Sequence, residues 1–174
     1  MIIVLEDVQR RCKEEFEKVK KNPYYFEKVT HQSEEMCLWA VSKKPELLKQ
    51  VVRQTTAICV EAVKKDPYLI EEVDPRLLTG VLSELNMIYL PKGQYNPAIL
   101  VQKQEDDQYV IRNVSALIRS ISGMPLKQYL EKLNYKKLTP AEEAQGLTQE
   151  YVDRYNLSIR IQRQFFRENG LDVI

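Results

Sequence analysis

Side chains able to do chemistry are few in this chain, and their spacing is poor. His31 is the only histidine, and Cys12, Cys37 and Cys59 show no CxxC spacing, so a Cys–His nucleophile or a zinc set would have to be gathered from distant parts of the sequence. His31 stands where Arg53 stands 22 residues later, and a position that accepts arginine reads as solvated linker. Cys37 and Cys59 hold equivalent places on an apolar face, where a thiol packs as a small hydrophobe. Glu105, Asp106 and Asp107 are adjacent carboxylates without the further spaced ligands of a calcium loop, which reads as a polar turn and helix cap. The pairs Glu34-Glu35 and Glu71-Glu72 fall on the solvent side, without the burial that tunes a carboxylate for acid–base work. With five glycines and neither GxGxxG nor a Walker pattern, nothing is present to cradle a phosphate in a loop. The expectation is no catalytic residue, no metal and no cofactor.

Residues suited to binding are easier to find. Arg160, Arg163 and Arg167, with Arg154 nearby, lie at helical spacing opposite an apolar stripe of Val152, Tyr155, Ile159 and Phe166. Such a row could meet nucleic-acid phosphates or an acidic protein surface; alternatively it is a solvated face balanced by Glu150, Asp153 and Glu168. Tyr24, Glu46 and Tyr68 share one column at 22-residue spacing. A column that changes character between apolar neighbours reads as exposed, and exposed tyrosine is a good contact residue.

These residues are positioned by a repeat. Pro23, Pro45 and Pro67 are spaced 22 and 22 residues apart, as are Val19, Val41 and Val63, and again Val29, Val51 and Val73. A fixed period of this length marks stacked supersecondary units. Ahead of each proline, apolar residues such as Met36, Cys37, Ala40 and Val41 fall at helical spacing. The proline then suits the first turn of a second, short helix carrying Leu47, Leu48 and Val51, or Leu69, Ile70 and Val73. Each copy thus reads as a helical hairpin in a small solenoid or compact bundle. Leu5, Val8, Cys12, Phe16 and Val19 predict a longer first helix over 4–21, an N-terminal cap. A degenerate fourth copy begins at Asp74-Pro75, with its second helix delayed to Asn96-Pro97 by an insertion at 90–95.

Beyond it, Val110, Val114, Leu117, Ile118 and Ile121 predict a helix, Pro125 opens another, Thr139-Pro140-Ala141-Glu142 is a capping-box pattern, and a last helix runs over 148–167 towards Gly170. Ala98 to Val101 and Tyr109 to Ile111 could instead be two strands of a hairpin at 98–111 turning at Glu105–Asp107. The expected fold class is all-α, with a helical-repeat region at 1–90 and a C-terminal helical region at 91–174 packed on it.

Cys37, Ala40-Val41, Pro45 and Val51, repeated as Cys59, Ala62-Val63, Pro67 and Val73, resemble the bacterial and phage repeat family catalogued as domain of unknown function 4116. Gln54-Thr55-Thr56-Ala57-Ile58-Cys59 looks like that family's linker into each helix. The resemblance covers residues 10–75 and departs from the pattern where Glu15 and Lys18 replace Cys and Ala. It implies repeat architecture in a phage- or mobile-element-type setting, and no site, since the family has no established activity.

Composition bounds what remains. A net charge of +1 from 26 basic and 25 acidic residues provides no global field favouring nucleic acid or an anionic membrane. The apolar opening Met1–Leu5 is broken by Glu6 and Asp7, too short for a signal-peptide core or a membrane span. An odd cysteine count fits a reducing, cytoplasmic setting. The expected function is a non-enzymatic protein–protein interaction module, binding a protein partner through Tyr24, Glu46 and Tyr68. The alternative is a nucleic-acid binder using Arg154, Arg160, Arg163 and Arg167.

Overall fold

The computed structural model describes residues 2–114 and 123–171, with side chains from Val4 onward. The chain forms two compact units, residues 1–85 and 86–174.

In the first unit α-helices alternate with 3-10 helices at the period of the repeat. Helix α1 (Ile2–Lys21) precedes a 3-10 helix at Pro23–Lys28, α2 (Glu34–Lys43) one at Pro45–Gln50, and α3 (Thr56–Lys65) one at Pro67–Glu72; α4 (Leu78–Glu84) closes the unit. The second element of each hairpin is therefore a six-residue 3-10 helix rather than a short α-helix. Proline opens each one. At a 3-10 rise of about 2 Å per residue, six residues span ~12 Å, the length of about eight α-helical residues. The closing Val29, Val51 and Val73 are extended, and each donates its N–H three residues back, to Phe26, Leu48 and Ile70. Ser33 and Thr55 cap α2 and α3 by accepting from the N–H of Met36 and Ile58, satisfying donors that a helix start leaves open.

Each copy buries the same columns. Met36, Cys37, Ala40 and Val41 are matched by Ile58, Cys59, Ala62 and Val63, and Leu47-Leu48 by Leu69-Ile70. Successive copies are also stitched through glutamine. The Gln32 amide donates to the carbonyl of Gln50 (2.8 Å) and accepts from the N–H of Val52 (2.9 Å). Gln54, 22 residues on, donates to Glu72 (2.9 Å) and accepts from Asp74 (2.8 Å).

The fourth copy stops at α4. Leu85 caps that helix, Asn86 turns the chain at φ +51°, and a strand follows instead of a second helix. The all-α expectation is thereby overturned: the second unit holds a four-stranded antiparallel sheet in the order β1-β2-β3-β4, from Met87–Leu90, Ile99–Lys103, Tyr109–Asn113 and Met124–Pro125. Asn96-Pro97 leads into β2, with Val101 opposite Ile88 on one side and Ile111 on the other. Ala98, Ile99, Leu100 and Val101 are each 0–1% exposed. Four consecutive buried residues need cover on both faces, which a sheet strand receives. The hairpin alternative thus prevails, and Glu105–Asp107 lies in its turn rather than capping a helix. There Asp107 adopts φ +60° and pairs with Lys103 at 2.8 Å. Val110 belongs to β3, and Val114 lies in a bend after it. Leu117, Ile118 and Ile121 of the expected helix lie outside the described residues.

Among the described residues this unit also holds the helices α5 (Leu126–Lys132), α6 (Pro140–Ala144) and α7 (Gln149–Glu168). Thr139 and Glu142 make the expected capping box, and Gly170, at φ +68°, ends the run after α7. Ile99, Val101 and Ile111 of the sheet share one core with Leu126, Tyr129 and Leu133 and with Ile159, Phe166 and Leu171. Within it the Tyr129 hydroxyl donates to Gln162 Oε1, and the Gln162 amide donates to Ser158 Oγ at 3.0 Å.

Replacing Gln54 by alanine leaves Glu72 and Asp74 without their partner and is expected to cost about 1–3 kcal/mol. Leu48→Ala, which opens a cavity between copies, is expected to cost about 2–5 kcal/mol. Urea denaturation of both variants checks this order.

Candidate functional site

Two surfaces carry the candidate residues, one in each unit. In the first, Tyr24, Glu46 and Tyr68 each take the second position of successive 3-10 helices, and these helices pack in order. The N–H groups of Tyr24 and Tyr68 are held by Asn22 and Asp66, both at 3.1 Å. Tyr24 is 51% exposed with Lys44 Nζ 5.5 Å from its ring centre, Glu46 is exposed, and Tyr68 is half-buried. The column is aligned, with Tyr24 and Glu46 its most accessible members.

The same unit holds a concavity that the repeat pattern does not announce, about 670 Å³ in volume. Val8 and Cys12 of α1 line it together with His31, Gln32, Cys37 and Val52 from the linkers and α2. Val52 is 87% exposed, and Val4 and Leu5, one turn before Val8 on α1, are 66% and 59% exposed. The predicted cap helix therefore buries only the later part of its stripe, with Val19 fully enclosed. A sequence signal did exist for Val52, which sits in a column with the polar Thr30 and Asp74.

The thiols and the histidine are occupied by structural contacts. Cys12 donates to the His31 carbonyl (3.5 Å), and His31 Nδ1 meets Thr30 Oγ1 at 2.9 Å. Cys37 and Cys59 point at Gln32 and Gln54, with Sγ–Oε1 distances of 3.8 and 3.3 Å. Burial first, then the charge of Glu34, pushes the Cys37 thiol from 9.0 up to about 11. Burial and then Asp74 do the same to Cys59, also up to about 11. Both are protonated at neutral pH and unsuited to attack, because the thiolate is the nucleophile. Among the described residues no group of histidine, cysteine and carboxylate side chains is arranged to hold a metal.

In the second unit, α7 brings three of the four predicted arginines together. Arg160, Arg163 and Arg167 line a concavity of about 360 Å³ with Gln164, Glu168 and Tyr135. Arg154 stands apart, paired with Glu150 one turn earlier. Arg163 is half-buried and donates to the carbonyl of Leu133. Tyr135 was invisible to the helical pattern because it arrives from the segment between α5 and α6.

No family model, curated protein or solved structure matches the chain. No helix among the described residues is long and apolar enough to cross a membrane.

The thiol environments have two measurable consequences. In the native protein Cys12 should react with a maleimide at pH 8 while Cys37 and Cys59 react only on unfolding, as peptide mapping would show. Because both buried thiols keep their protons to about pH 11, whereas unfolded thiols ionise near pH 9, the unfolded state loses protons first. The stability they confer is whole below about pH 9 and falls as the pH rises from about 9 to about 11. The Cys37→Ala/Cys59→Ala variant should show a smaller fall in denaturation midpoint across that window.

Proposed function

We propose that this protein is a non-enzymatic interaction module that holds a protein partner on the outer surface of its repeat unit. The observation carrying this reading is where the exposed apolar side chains lie. Among the described residues Val4, Leu5, Val8, Tyr24 and Val52 all belong to the first unit, against Tyr135 and Tyr151 in the second. Exposed apolar groups that gather on one unit mark contact surface, and the stacked 3-10 helices set Tyr24 and Glu46 beside one another without any role in the core. The repeat makes such a surface adjustable: the buried columns hold each copy together, while the second position of each 3-10 helix changes from Tyr to Glu to Tyr.

The kinship with domain of unknown function 4116, and with it a bacterial or phage setting, belongs to this proposal and rests on the motifs at residues 10–75. A reducing cytoplasm suits Cys12, Cys37 and Cys59, which are free thiols.

Affinity capture with the full chain from an extract of the encoding organism should recover a stoichiometric protein partner. Tyr24→Ala with Glu46→Lys should abolish recovery, whereas Arg160→Ala with Arg167→Ala should leave it unchanged. Equal recovery by the Tyr24/Glu46 variant would remove the column from the interaction, and loss only in the arginine variant would move the contact to α7.

A further inference from the structure

The concavity on α7 is built from side chains outside the apolar core of the second unit, of which Arg163 is half-buried and Arg160 and Arg167 are exposed. Helix α7 turns Val152, Ile159, Gln162 and Phe166 inward. Arg160, Arg163 and Arg167, at steps of three and four residues, fall within about 60° of one another on the outer side. Arg160 and Arg167 are almost in line along the axis, ~10 Å apart at an α-helical rise. Among the described residues Arg160 pairs with no carboxylate.

Tyr135 reaches this row on a pinned segment. On one side of it, the carbonyl of Leu133, itself a core residue, accepts from Arg163. On the other side, the Lys136 N–H donates to Asn156 Oδ1 at 2.7 Å and the Lys136 carbonyl accepts from Asn156 Nδ2 at 2.9 Å. Lys136 Nζ lies 4.4 Å from the centre of the Tyr155 ring, which ties the segment down once more. Between these anchors Tyr135 remains 57% exposed. An aromatic ring on a fixed backbone, open to solvent beside three guanidinium groups, is a prepared contact. Such a ring loses little entropy when a ligand stacks on it.

We propose that this concavity binds single-stranded nucleic acid, one base stacking on Tyr135 and the neighbouring phosphates taken by Arg160 and Arg167. Arg163 is the positioning residue, holding the Leu133–Lys136 segment in place. Stacking platforms beside basic grooves are the means by which single strands are bound without reading sequence. Tyr135 favours a single strand, because only an unpaired base offers its face for stacking. An acidic peptide would engage the arginines and leave Tyr135 idle, whereas a nucleotide uses both. Glu168 also lines the concavity, and its carboxylate accepts from the Gln164 amide at 2.8 Å. Among the described residues that line it, one carboxylate stands with three guanidiniums. This site lies on the second unit, so its failure would leave the repeat-surface reading untouched.

The test is fluorescence anisotropy of the full chain with a labelled oligothymidylate about 12 nucleotides long at about 50 mM salt, where phosphate contacts are strongest. Binding is expected to weaken about 5- to 150-fold in Tyr135→Ala, the range for losing one stacked base, and to survive in Tyr135→Phe. Arg160→Ala with Arg167→Ala should weaken it at least tenfold and flatten its dependence on salt by about two phosphate contacts. All three residues named are on the surface, and an unchanged melting midpoint would show that the variants are folded. No binding at this salt concentration overturns the proposal. So does binding that is indifferent to Tyr135→Ala, or a duplex of the same length bound as tightly as the single strand. Polyglutamate bound equally well, with the same loss in the arginine variant and none in Tyr135→Ala, would assign the site to an acidic protein.

Discussion

The first unit depends on a side-chain amide that answers two backbone groups of the next copy. Where the second and third 3-10 helices end and the chain runs extended into a linker, a carbonyl and an N–H fall outside any ladder. Gln32 and Gln54 supply the matching donor and acceptor at 2.8–2.9 Å. The amide thus reaches from one linker to the next. The cysteine thiols donate to the same amide oxygens. Burial, and then the charges of Glu34 and Asp74, keep those thiols protonated.

That arrangement separates what must stay constant from what is free to vary. The apolar pair in the second and third 3-10 helices, Leu47-Leu48 and Leu69-Ile70, is buried, whereas the residue just after the proline lies outside those buried columns. Tyr24, Glu46 and Tyr68 sit there. The 3-10 form matters because it brings these positions into stacked registration, with two of the three tyrosine or glutamate side chains exposed. In the second unit the constraint is different. Ile99 and Val101 of the sheet share a core with α5 and α7, and α7 presents Arg160 and Arg167 outward while Ile159, Gln162 and Phe166 are buried on the other side.

Legibility in the sequence followed the range of the contacts. The repeat was readable because each copy packs on its neighbour, so residues close in space are also close in the chain, and Pro23, Pro45 and Pro67 mark every start. The cap at Thr139 was readable for the same reason. The sheet was not, since an apolar run such as Ala98–Val101 suits a buried helix and a two-faced strand equally, and only pairing with Ile88 and Ile111 decides between them. The candidate sites divide in the same way. The α7 arginines were evident from helical spacing, but the neighbour that completes their concavity, Tyr135, is brought in by hydrogen bonds to Asn156 and Arg163 that no periodicity records.

The amino-acid sequence by itself determined the 22-residue repeat, its buried columns, its variable column and the arginine face of the last helix, because local periodicity and capping are enough to specify them. Tertiary structure alone decided that the second half of the chain builds a sheet, that Val8 stays uncovered, and that Tyr135 meets Arg160 and Arg167. Those outcomes depend on which distant segments cover which faces, and backbone groups left unpaired by one local choice are satisfied only when the whole unit has folded.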